Sequence, residues 1–189
     1  MQTSHPINEA ENTPKAMKNG AHILYMYNEL EKYIEIAYEY IYMGLLNDSI
    51  VLFMESEEII TTIKTRLQHS DLQDFHNRVN NFIYINANEF YVVNKKLNAE
   101  KLIKLLQPFL KKGASIRTWG NVPLPSNEAM LENIRQYECD CDHFIMNEKV
   151  IFVCTYNALI TLSYIQNELL KTHTHIMEAT EKVNYLVNR

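Results

Sequence analysis

Short apolar segments alternating with amphipathic helical stretches predict a three-layer α/β domain, its mainly parallel sheet of five or slightly more strands covered by helices on both faces. Two observations support that class. Runs such as SIVLFME and KVIFVCTY leave no solvated face, as strands covered on both sides require. Four glycines and five prolines in 189 residues are too few for a linker-rich or collagen-like chain, given a usual combined share of about 12%. With 47% apolar residues, a chain of this length has room for one substantial core.

The elements follow in order. Residues 1–20 are polar, contain Pro6 and Pro14 and show no period, which predicts a flexible tail before a single domain over 21–189. The first strand spans His22 to Tyr27. A helix to about Leu46 follows, with Leu30, Ile34, Ala37, Ile41 and Leu45 on one stripe. Ser49 to Glu55 is the second strand, and Ser56 caps a helix to about Gln68 whose first turn holds Glu57 and Glu58. Asn81 to Ala87 is the third strand. Asn98 caps a helix over Ala99 to Lys112 that stops at Gly113. Ala114 to Trp119 is the fourth strand, followed by a loop at Gly120 to Pro125 and a helix from Ser126 to about Phe144. Lys149 to Tyr156 is the fifth strand, and a long helical segment is expected from there to the C-terminus.

Composition excludes several function classes. A net charge of −5 gives no overall electrostatic case for nucleic acid or an anionic membrane surface. No apolar run approaches the length of about 18–20 residues that spans a bilayer, and the N-terminus has no hydrophobic core of a secretory signal. Three cysteines do not form a disulfide framework and fit a reducing cytoplasm. Gly20, Gly44, Gly113 and Gly120 never combine into GxGxxG or GxxxxGK, so no phosphate-cradling loop is present. Where a P-loop would leave the first strand, the chain reads YMYNELEK, with Glu29 and Glu31 close to where phosphates would sit.

Ligands in such sheets bind beyond the carboxyl ends of the strands. The polar residues there are Asn28 and Glu29, Glu55, Asn86 to Glu89, Arg117 to Asn121 and Thr155 to Asn157. Arg117 ends an otherwise buried strand and needs an anionic ligand group or an internal partner such as Glu138 or Glu55. Cys139-Asp140-Cys141-Asp142-His143 does not make a metal site, since Cys141 points away from Cys139 and His143 on a helix and Cys154 lies in a strand. His173 and His175 diverge on the final helix. No GxSxG, no catalytic constellation, no metal set and no cofactor motif emerges.

Five segments taken in order, His22-Ile23-Leu24-Tyr25, Arg117-Thr118-Trp119-Gly120, Tyr137-Glu138, Val153-Cys154-Thr155-Tyr156 and Leu170-Lys171-Thr172-His173, resemble the MEDS family, with Tyr91 a further matching position. MEDS denotes a sensory domain of methanogen signalling proteins and of a methylotroph dichloromethane-responsive repressor. The resemblance covers about residues 20 to 180. It implies a RecA/KaiC-like core that has lost its nucleotide-hydrolysis machinery and serves as a ligand sensor. Asn121 and Asn157 stand where the family often shows acidic residues, and Thr174 where it often shows Pro.

The function expected on this basis is a non-enzymatic sensory domain of a bacterial or archaeal signalling pathway. It binds a small apolar or metabolite ligand at the carboxyl edge of the sheet. The candidate pocket is rimmed by Tyr25, Tyr27, Tyr91, Trp119 and Tyr156, with His22, Arg117, Glu138 and His173 as polar contacts. An alternative is a ligand-free interaction module, either a homodimer or bound to a signalling partner. Its surface would be a final-helix stripe of Leu162, Ile165, Leu169, Ile176, Ala179 and Val183. A residual nucleotide-binding protein is the third reading.

Overall fold

A computed structural model of the chain describes residues 20–70, 78–93, 96–124, 130–148, 150–178 and 183–185. The expected tail, apart from Gly20, and the start of the Ser126 helix lie outside those residues. The main sheet contains β1 (Ala21–Tyr27), β2 (Ile50–Glu55), β3 (Phe82–Asn86), β6 (Ile116–Asn121), β7 (Val150–Asn157), β8 (His175–Met177) and β9 (Val183–Tyr185). A two-stranded hairpin of β4 (Val92–Val93) and β5 (Lys96–Leu97) lies apart from it. Strand order is β3-β2-β6-β7-β1-β8-β9, with six parallel strands and β9 antiparallel at one edge.

Side chains alternate across each strand, so the sheet divides the interior into two cores. Helices α1 (Leu30–Leu46) and α2 (Glu57–Gln68) cover one face. The other face is covered by α3 (Ala87–Tyr91), α4 (Ala99–Leu110), α5 (Met130–Asn147) and α6 (Ser163–Thr172). Local signals place the helix starts. Ser56 Oγ accepts from the Ile59 amide, and Asn98 Oδ1 accepts from the Lys101 amide.

Three expectations need correction. The buried stripe of α1 is rotated from the one expected: Leu30 is exposed, while Tyr33, Ala37, Tyr40, Ile41 and Leu45 are buried. Hydroxyl partners inside the core explain the rotation. Tyr33 Oη donates to Glu55 Oε1 at 2.8 Å and accepts from Trp119 Nε1 at 2.9 Å, and Tyr40 Oη donates to the Ile151 carbonyl. Strand β6 continues through Gly120 and Asn121, because Gly120 pairs with both Met54 and Cys154. The long C-terminal helix is broken at Thr172. Ile176 and Val183 belong to β8 and β9, Ala179 lies outside the described residues, and the expected six-residue stripe does not exist. The chain leaves α6 in extended backbone at His173, and Thr174 then bonds the His22 carbonyl through its amide and its hydroxyl, which docks β8 beside β1.

Two buried contacts supply stability tests. A Cβ at Gly120 would overlap the Tyr91 hydroxyl and stand 3.0 Å from Met54 Cε. Gly120→Ala therefore lowers stability by about 1–3 kcal/mol through overpacking, read as a lower urea midpoint with an unchanged slope. Tyr33→Phe removes the hydroxyl shared by Glu55, Trp119 and Thr155. It costs about 1–3 kcal/mol in the same measurement, because a buried carboxylate and an indole N–H lose a partner.

Candidate functional site

The connections after β1 and β2 run to the α1/α2 face, and those after β6 and β7 run to the opposite face. The strand order places β2 beside β6 and β7 beside β1, so each of these neighbouring pairs is a topological switch point. A cleft of about 290 Å³ opens at the carboxyl ends of these four strands. Its polar lining is Glu55, Ser56, Asn88, Asn121 and Asn157, and its apolar lining includes Tyr27, Val122, Leu124 and Ile160.

Backbone hydrogen bonds fix the cleft's floor. The Ala158 amide donates to the Tyr27 carbonyl at 2.7 Å, and the Val122 amide donates to the Thr155 carbonyl at 3.1 Å. Glu55 is held by the Tyr33 hydroxyl and the Ser56 amide. Burial and the charge of Glu55 raise the Tyr27 phenol above its ordinary pKa, opposed by a hydrogen bond with Asn121. Tyr27 is therefore a neutral hydroxyl in the cleft wall.

Between β1 and α1, where the fold would place a phosphate loop, the chain turns at Asn28 and Glu29. Glu29 sits at the N-cap with extended φ and ψ, makes no side-chain cap and pairs with Lys32 at 2.9 Å. Among the described residues, positive φ occurs at Asp48 and Gly113, neither of them in this turn. The alternating right- and left-handed backbone that forms an anion nest is therefore missing here.

Of the nine residues expected at the pocket, Tyr27 lines the cleft and the other eight do not, and the sheet separates them. Tyr25 and Trp119 pack with Tyr27 and Tyr33 on the α1 face, with Tyr25 stacked on Tyr33 at 6.2 Å. Tyr91 and Tyr156 are on the other face, and Tyr91 meets Tyr137 edge-on at 5.6 Å. The single aromatic pocket is thus corrected to two buried packing groups, for strand alternation sends residues 25 and 119 one way and 156 the other.

Arg117 does not reach the carboxyl edge, because it is the second residue of β6. Its stem passes Gly44, and its guanidinium stands 5.7 Å from the Tyr40 ring on the α1 face. Glu138 lies on the opposite face, and Glu55 lies four residues along β2 from Val51, the register partner of Arg117. Its neighbour on this face is the Tyr40 ring.

The structure does bring His22, Glu138, Tyr156 and His173 together, and adds Cys154. His22 is on β1, Glu138 on α5, Cys154 and Tyr156 on β7, and His173 at the end of α6. All five are buried. His22 Nε2 is 3.1 Å from Glu138 Oε2, and Cys154 Sγ donates to that oxygen at 3.4 Å. Tyr156 Oη donates to Glu138 Oε1. The rings of His22 and His173 are 4.0 Å apart.

The electrostatics divide the group into unlike members. Burial alone would lower the His22 pKa, but hydrogen bonds with Asp142 and Glu138 outweigh it and hold the imidazole above its ordinary value. Burial would raise Glu138, yet His173, His22 and the Tyr156 hydroxyl hold it below the usual carboxylate range. His173 is pushed down to about 3 by burial and by the neighbouring His22 charge. Burial and Glu138 together push the Cys154 thiol well up. Around the carboxylate stand the His22 imidazole, raised above its ordinary pKa, a neutral imidazole and a neutral thiol.

His175 is in β8 and not on a helix, and His173 has already left α6, so their helical divergence is corrected as well. Sequence reasoning missed Cys154 as a partner of His22 and Glu138, because residues 22, 138, 154 and 173 have no motif spacing. Strand alternation was the available signal: Cys154 and Tyr156 share a face, and His22 pairs in register with Phe152 on that same face. Among the described residues no helix is long and apolar enough to cross a membrane.

Comparisons with known proteins agree with this architecture. The chain superposes on a solved ATPase domain with a TM-score of 0.60 and 12% identity, over 89% of this chain and 72% of that one. The RadB recombinase gives 0.56 and 9% identity, over 89% and 79%. The flagellar accessory protein FlaH from Methanocaldococcus jannaschii gives 0.55 and 13% identity, over 92% and 77%. At these identities the likeness establishes a RecA-like fold. No curated protein sequence matches the chain. Residues 21–174 match the family described as the MEthanogen/methylotroph, DcmR sensory domain. The chain therefore belongs to the MEDS family of sensory domains.

Proposed function

We propose that the protein is a non-enzymatic sensor that binds a small, neutral, partly apolar molecule in the cleft at the carboxyl edge of the sheet and reports its state through protein contacts. The observation that carries this reading is the chemistry of that cleft. It lies at two adjacent switch points, where a RecA-like fold binds its ligand, yet it offers three side-chain amides and one carboxylate. Asn88, Asn121 and Asn157 both donate and accept, which suits a molecule with a neutral polar end. Glu55 disfavours an anion, and the turn before α1 has no nest for phosphate. Tyr27, Val122, Leu124 and Ile160 supply the apolar surface.

A route to a partner begins in the same lining. Ile160 borders the cleft and is exposed, together with Leu159, Leu162 and Tyr164. A ligand that orders the turn after β7 would alter this apolar surface, and a signalling protein can read the change.

A thermal-shift screen of small alcohols, amides, halocarbons and sugars against the full chain tests the proposal. At least one class raises the melting temperature in a saturable way, and Asn88→Trp, at an exposed position that fills the cleft mouth, abolishes the shift while keeping the fold. A shift that survives Asn88→Trp, or no shift with any class, contradicts the reading.

A further inference from the structure

We infer that His22, Glu138, Cys154 and His173 form a closed binding site for one divalent transition-metal ion of the zinc type. One donor atom from each lies within 4.8 Å of all the others, and all four residues are buried. Tetrahedral bonds of about 2.0 Å to nitrogen or oxygen and about 2.3 Å to sulfur place neighbouring donors about 3.3 Å apart, or about 3.5 Å where one is sulfur. Four of the six edges are already close to those values, and all six are within 4.8 Å. Glu138 Oε2 stands 3.1 Å from His22 Nε2, 3.5 Å from His173 Nε2 and 3.4 Å from Cys154 Sγ, and Cys154 Sγ stands 3.6 Å from His22 Nε2.

The outer contacts orient the donors inward. His173 Nδ1 donates to the Leu169 carbonyl at 2.8 Å, so its Nε2 keeps a free lone pair; that nitrogen is buried and has no hydrogen-bond partner. His22 Nδ1 faces Asp142 Oδ1 at 3.4 Å, which turns Nε2 toward the centre. Tyr156 occupies Glu138 Oε1 and leaves Oε2 for the ion. Metal-bound histidines and carboxylates are held by outer partners of this kind.

Without a cation between them, the lone pair of His173 Nε2 and Glu138 Oε2 repel at 3.5 Å. A dication between them turns both atoms into ligands. Its bonds to Cys154 and His22 form as the thiol and the His22 Nε2 give up their protons to solvent, and two anionic and two neutral ligands then balance the ion's charge in a buried site. Imidazole with thiolate selects zinc or cobalt over calcium or magnesium. Four protein ligands leave no open position, so the ion is structural. It ties the end of α6 to β1, β7 and α5, and so anchors the segment that leads into β8.

The test uses the full chain carrying Cys139→Ser, which removes the exposed thiol. The chelator-treated protein is refolded with Co²⁺, because a buried site fills as the chain folds. One equivalent of cobalt gives the intense visible bands of tetrahedral coordination and a near-ultraviolet thiolate band. The thiolate band is lost in Cys154→Ser, and His173→Ala weakens binding by more than about tenfold. Zinc-loaded protein, with no Cys154 or His173 variant needed, shows one sulfur at about 2.3 Å and three nitrogen or oxygen neighbours by X-ray absorption. Folded protein that takes up no stoichiometric metal overturns the inference, as does a metal shell without sulfur. A thiolate band that persists in folded Cys154→Ser also overturns it.

Discussion

The carboxylate of Glu138 has no contact with solvent, and much of one half of the fold is arranged to satisfy it. A buried carboxylate is costly unless it is paired and hydrogen-bonded. Here the donors come from β1 and β7, the His173 ring faces the carboxylate from the end of α6, and the carboxylate itself comes from α5. Those four elements cannot shift relative to one another without stranding a charge. The consequence reaches beyond the cluster. His173 must leave the helix where it does to face Glu138, and Thr174 then docks β8 on β1 through the His22 carbonyl. The sixth parallel strand is thus a continuation of the way the buried charge is held.

The opposite face is governed by hydroxyls. Tyr33 joins Glu55, Trp119 and Thr155, so the end of β2, the middle of β6 and the end of β7 meet under α1. Glu55 and Tyr27 carry this core to the cleft. The sheet therefore separates two kinds of chemistry: an enclosed polar cluster under α5 and α6, and a cleft open at the carboxyl edge.

Much of the fold was legible in the sequence, because covered parallel strands appear as unbroken apolar runs and capped helices mark their own starts. Ser56 and Asn98 were placed correctly by that logic, as were the five expected strands within a residue or two. The C-terminal region was not, since Leu162, Ile165 and Leu169 continue into Ile176 at a plausible helical spacing. What ended the helix was a tertiary demand on His173 and Thr174, which local pattern does not show. Glu55, Asn88, Asn121 and Asn157 were visible as polar strand ends, but the residues expected to bind ligand were others, centred on larger aromatics that alternation buries on separate faces. His22, Glu138, Cys154 and His173 gave no spacing signal, for they meet only once four elements have folded.

The central claim is that this RecA-like sheet keeps the position of a ligand site while the turn before α1 has lost the means to bind phosphate. Backbone amide chemical shifts of the full chain, followed while MgATP is added, address it most directly. The account predicts that the amides of residues 28–31 stay unmoved up to millimolar nucleotide. Saturable movement of those amides at one equivalent would contradict it.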